Sequence, residues 1–221
     1  MNTMNTKPLP SLEALNSSRN TFRGGSQKTS HGYRFEKIVC KVFGFCNDDG
    51  TTWNQYGDLV DVPKKIVKRS DVPEKYHADW SIKLVQENKA IGYGTAIKRR
   101  QEATRPIVHC VGFWGYRGRG AKKIVGFNYS LVTPSQADEH WGNITLELLE
   151  EIDPCLNKNH SISRSKEITK KINNNRTGII GLRNCSRECN SNGYPVRNLQ
   201  SYVGSKNYME HIDDGLGVMV A

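Results

Sequence analysis

The stretch His77 to Arg100, HADWSIKLVQENKAIGYGTAIKRR, constrains this chain more than any other. Trp80 to Gln86 alternates Ile82 and Leu84 with Ser81 and Lys83, and Ile91 to Ile97 sets Tyr93, Thr95 and Ile97 between small residues. A period of two marks a strand, and Glu87-Asn88-Lys89-Ala90 between them suits a turn. A hairpin centred near Asn88-Lys89 sets Asp79 opposite Lys98, since both are equally far from that centre. Residues 96 and 98 then share a face.

That layout suits metal-assisted phosphodiester hydrolysis. A divalent cation acidifies the attacking water and neutralises developing charge, and carboxylates and main-chain carbonyls are hard ligands for magnesium. Asp79 supplies one ligand in this reading and the carbonyl of Ile97 another, with Lys98 steadying hydroxide and the transition state. Residue 96 should supply the third ligand, and it is Ala96. Glu87-Asn88-Lys89 has the right letters, but Glu87 stands roughly 25 Å along the strand from Asp79 at about 3.3 Å per residue. Ala96-Ile97-Lys98 is therefore kept as the motif position. Asp58 and Asp61 are alternative acids, better suited to turns and caps.

Residues 1–30 are rich in Asn, Ser, Thr, Gly and Lys and read as a flexible basic arm. From about Gly32 the apolar spacing turns helical, with Phe35, Val39, Val42 and Phe43 forming a stripe and Ile38 and Phe45 widening it. Glu36 beside that stripe is either an exposed helix glutamate or a further holder of the metal or its water. Asn47 to Gly57 reads as a loop, and Asp58 to Tyr76 as a short element between loops. Pro106 to Trp114 and Lys123 to Val132 read as neighbouring strands. The loop between them interleaves Arg117, Arg119 and Lys122 with Tyr116 and glycines, a composition that lets backbone approach phosphates. Ser135 offers an N-cap for a helix running to Ile152 and stopped by Pro154. His140 on it has no companion at ligand spacing. A short basic helix covers about 165–173. The tail then shows two strands, 178–185 and 196–203, and a last short helix. Arg197, Asn198 and Gln200 on the second strand, with Arg183 on the first, carry donors and acceptors that match base edges in the major groove.

Lysine and arginine outnumber acids 32 to 22, a formal charge of +10, which points to a polyanionic partner, nucleic acid before membrane surface. No apolar run approaches the roughly 20 residues that cross a bilayer, and MNTMNTKPLP lacks a signal-peptide core, so a cytoplasmic protein is expected. The six cysteines form no CxxC pair and read as free thiols.

An acid on a first helix, a strand opening at Asp79, then x-Ile97-Lys98-Arg99-Arg100 after a hairpin together resemble the PD-(D/E)xK nuclease superfamily, in size and layout its Type II restriction endonuclease branch. The resemblance covers about residues 32–132. It implies an α/β fold, a mixed central β-sheet flanked by helices in an α/β/α core. It also implies one nuclease domain over 31–221, with a DNA-recognition part at about 133–212. The expected activity is Mg2+-dependent, sequence-specific cleavage of double-stranded DNA, frequently by a homodimer. Arg99, Arg100, Arg117, Arg119, Lys122, Arg183, Arg197, Asn198 and Gln200 would contact the DNA. Ala96 departs from the family, whose glutamate here makes it read as an introduced substitution that traps the uncut complex. A non-catalytic nucleic-acid-binding protein with Ala96 as its own residue, and a junction or repair nuclease on the same core, are the rivals. The resemblance predicts that Ala96→Glu regains magnesium-dependent cleavage, seen as discrete fragments of phage DNA. A variant that binds duplex yet cuts no sequence would defeat that expectation.

Overall fold

A computed structural model describes residues 28–53, 62–117, 121–157, 162–189, 195–211 and 218–219. The chain is α/β, and its strands form two sheets in place of the expected single one. It divides into two compact units. One holds the described residues up to Glu87, Pro106–Val132 and the short strand at 218–219, and the other holds Asn88–Arg105 and Thr133–His211.

In the first unit the apolar stripe forms as expected. Helix α1, Lys28–Val42, buries Phe35, Ile38, Val39 and Cys40, a three- and four-residue spacing that keeps them on one side. Gly44 ends it in the left-handed region at φ +69. There the Phe45 N–H reaches the Cys40 carbonyl at 2.8 Å and the Gly44 N–H the Lys41 carbonyl at 3.4 Å, the Schellman closure that satisfies the last carbonyls of a helix. The turn delivers Phe43 and Phe45 into an aromatic cluster with Trp80 and Tyr129, ring centroids 5.0 to 5.8 Å apart. Beyond it lie the short helix α2, Lys64–Val67, and a 3-10 turn at Glu74–Tyr76.

Strand β1 is Asp79–Gln86, β3 is Ile107–Arg117 and β4 is Ala121–Val132. With β7, Val218–Met219, they make a four-stranded sheet in the order β1-β3-β4-β7. Strands β1 and β3 run parallel, Asp79 beside Ile107 and Gln86 beside Trp114, while β3 and β4 are antiparallel. The central hairpin is therefore a correction. Residues 87–88 do turn, with Asn88 at φ +61, but β2, Ile91–Thr95, pairs antiparallel with a strand of the other sheet and not with β1. The cause lies in β3, whose Val108, Cys110 and Val111 are fully buried. An apolar strand of this kind needs a partner on each edge, and β1 takes that place.

In the second unit β2 joins β5, Ile180–Cys189, and β6, Pro195–Val203, in the order β2-β6-β5. Gly94 sits at φ +101 beside a register shift between Gly92 and Gly94, a bulge that glycine permits. The strand stops there, and Ala96–Glu102 is helix α3. Its sequence, AIKRRQE, consists almost wholly of strong helix formers, and Arg99 bonds Glu102 one turn on at 2.8 Å. The strand expected to continue through Ile97 is thus corrected.

The helix expected from Ser135 to Ile152 is two helices, α4 at Pro134–Trp141 and α5 at Leu146–Asn157, separated at Gly142 with φ +55. Thr133, not Ser135, is the N-cap, in a reciprocal capping box with Gln136. Pro154 does not end α5, which continues to Asn157. Helix α6, Ile162–Asn175, sets Asn173 against β5, its side-chain amide bonded at 2.8 Å to both the N–H and the carbonyl of Leu182. Helix α7 is Ser205–His211.

Two measurements check this packing. The Phe35 ring seats on Gly112, where an added Cβ would collide with it. Gly112→Ala is expected to lower stability by about 1–3 kcal/mol through overpacking. A urea midpoint equal to wild type would refute that contact. Burial holds the His140 imidazole below its ordinary 6.5, aided by the charge of His211 and opposed by a hydrogen bond to the His211 main chain and by Glu139. A depressed folded value contributes stability above the unfolded pKa, about 6.5, and loses it as pH falls through the folded one. His140→Gln should therefore flatten the fall of Tm on acidification below about pH 6.5, and an unchanged acid profile would count against it.

Candidate nucleic-acid interface

The residues of the expected metal centre take other places. Asp79 opens β1, and its carboxylate accepts the Lys64 N–H at 2.8 Å. It thereby caps α2, whose own N-cap residue, Pro63, offers no side-chain acceptor, and a carboxylate at a helix N-terminus is favourable. Ala96 is fully buried at the start of α3. Ile97 is in its first turn, where carbonyls accept from the N–H four residues on. Lys98 is exposed on the same helix. No strand ladder joins Asp79 to Lys98, because β1 and β2 belong to different sheets. Glu36 is half-buried on α1. Among the described residues no three His, Cys, Asp or Glu side chains gather to hold a metal ion. Ala96 brings no donor atom to a magnesium ion, which takes oxygen ligands.

One constellation went unread in the sequence. Strand register sets Ser81 beside His109 and His109 beside Ser130 in one row across β1, β3 and β4, with Asp79, Lys83 and Asn128 on the same face. Ser81, Asn128 and Ser130 are buried at 0 to 2 % exposure, so this is no solvent face. The Ser81 and Ser130 hydroxyls have no hydrogen-bond partner among the described residues. Polar residues at alternate positions, Asp79, Ser81 and Lys83 on β1 and Asn128 and Ser130 on β4, were the available signal.

The expected DNA-contacting cations divide. The Arg99 guanidinium donates to the Tyr93 carbonyl and to Glu102, and Arg100 donates to Asp138 at 2.7 Å. Both brace α3 within its unit. Gln200 is only 4 % exposed, which corrects the expectation that it reaches base edges. Strand β6 lies between β2 and β5, so Gln200 has Thr95 on one side and Arg183 on the other. Arg183 is exposed. Arg119, Asp58, Asp61 and residues 1–27 of the expected arm lie outside the described residues, as do the side chains of Arg117, Lys122, Arg197 and Asn198.

The loop expected at 115–122 is corrected, because residues 115–117 and 121–122 extend the two strands. The register runs out to Arg117 beside Ala121, with Tyr116 beside Lys122 and Gly115 beside Lys123. Tyr116 is 56 % exposed, the one large apolar side chain so placed among the described residues. The Trp114 ring meets it edge-on, centroids 5.6 Å apart at 82°, so the ring is held rather than loose. Lys123, opposite Gly115, is exposed on the other face of the ribbon. An exposed aromatic ring held in place can accept a base on its face.

Comparison with protein-family models, with curated proteins and with solved structures finds no match to this chain. Among the described residues no helix is long and apolar enough to cross a membrane.

The variant Ala96→Glu sets sequence against structure. A carboxylate at a fully buried helix position is expected to cost about 2 kcal/mol or more. The outcome expected from the structure is a lowered urea midpoint with no gain of magnesium-dependent cutting. Discrete DNA fragments would overturn it.

Proposed function

We propose that this is a nucleic-acid-binding protein that uses the distal end of the β3–β4 ribbon as a contact surface. The observation that carries the reading is Tyr116, exposed, braced by Trp114 and paired in register with Lys122. A formal charge of +10 supports it, because a cationic protein gains affinity by releasing the counterions condensed on a phosphate backbone. The ring adds a sequence-tolerant term, since every base has a π-face. This reading requires no metal, which separates it from the magnesium-dependent endonuclease expected from the resemblance. That activity stands on the letters Asp79, Ile97 and Lys98 alone.

Fluorescence anisotropy with a labelled 20-mer, with magnesium or with chelator, tests the proposal. Binding is expected to be the same in both and to weaken linearly in log Kd against log salt. Tyr116→Ala should weaken it about tenfold, the lower part of the ~1–3 kcal/mol range for stacking of one base. Absence of binding at low salt, or a Tyr116→Ala titration that overlays wild type, would remove this reading.

A further inference from the structure

Within the second unit, strand alternation gives the β2-β6-β5 sheet two unlike faces. One carries Ile180, Leu182, Leu199, Ser201 and Val203, all 6 % exposed or less. The other carries Arg183, exposed, Tyr202, half-buried, and between Arg183 and Thr95 the buried Gln200. Tyr202 has Gly92 beside it on β2 and Gly181 beside it on β5, so the ring has a glycine on either side in its row. Both glycines lie under planar groups. A Cβ on Gly181 would stand 2.7 Å from Tyr202 Cζ, and one on Gly92 would stand 2.7 Å from Arg183 Nη2. The guanidinium carbon is 5.9 Å from the tyrosine ring centroid. The guanidinium thus stands over the phenol at the range of a cation–π contact, and each group passes close to a glycine.

We propose that this face is a stacking platform for an unpaired base, and hence that the nucleic acid this protein prefers is single-stranded. The inference rests on the nucleic-acid-binding reading and extends it to a class of partner. A base inside a duplex has both faces covered by its neighbours and cannot lie on a sheet, whereas an unpaired one is free to stack on an aromatic ring or a guanidinium plane. Arg183 supplies both a plane and a positive charge, matching the base and its phosphate together. The two glycines leave room for these side chains: a Cβ at position 181 would meet the Tyr202 ring and one at position 92 the Arg183 guanidinium.

The test compares a labelled single-stranded 15-mer with its duplex, and replaces one base of the single strand by 2-aminopurine, whose fluorescence falls on stacking. Wild type is expected to bind the single strand about tenfold more tightly than the duplex and to quench the probe. Tyr202→Leu should lose about tenfold on the single strand and most of the quench, with duplex affinity unchanged. Arg183→Lys keeps the charge and removes the plane, so it should weaken single-strand binding with the salt slope unchanged. It also serves as the test should Tyr202→Leu lose its circular dichroism signature. Equal or tighter binding of duplex by wild type, or full quenching by both variants, would overturn the platform and leave the nucleic-acid reading standing. Binding to neither form would overturn both.

Discussion

The burial of β3 on both faces and along both edges is the constraint on which the first unit depends. A strand whose Val108, Cys110 and Val111 have no exposed surface cannot leave its backbone groups without partners in a dry interior, so it must be flanked. It takes β4 on one edge by a tight antiparallel return and β1 on the other in parallel. A parallel neighbour needs a crossover connection, and residues 87–106 provide it. The same demand therefore sends β2 to another sheet and frees Ala96–Glu102 to coil.

The polar row across that sheet, Ser81, His109 and Ser130, stands against the apolar logic of the opposite face, where Trp80 and Phe127 stack on Tyr129 and the Phe43 and Phe45 rings meet this group tilted or edge-on. Buried hydroxyls are costly when they lack a hydrogen-bonding partner, so the sheet is not built for stability alone. Asp79, on the same face, shows how an acid that suits catalysis by its letters can hold a structural post, since its carboxylate closes the open end of a four-residue helix.

Much of the fold was legible because long apolar patterns leave few choices. The α1 stripe, the strands at β3 and β4 and the helix–strand–strand–helix order of the tail all follow from periodicity. Partnership was not legible. Alternation in Trp80–Gln86 identifies a strand and says nothing of which strand lies beside it. The small residues of IGYGTAI fit a period of two on paper, yet Gly94 breaks the ladder and the helix-forming run after it decides the conformation. Gln200 was misjudged for a related reason, since exposure depends on whether a strand is central or at an edge. Of the candidate interface, the aromatic among cations at Tyr116 could be read directly. Tyr202 could not, because its significance comes from two glycines distant in sequence that register brings to either side of it.

The outer margin of the second sheet is closed by a side chain and not by a strand. With one amide, Asn173 imitates the peptide group of a missing neighbour, taking up the donor and the acceptor that Leu182 turns outward. An unclosed margin is a template on which another polypeptide can add itself, the first step of ordered aggregation. A single asparagine on α6 thus covers that template at Leu182, and among the described residues no fourth strand joins the sheet.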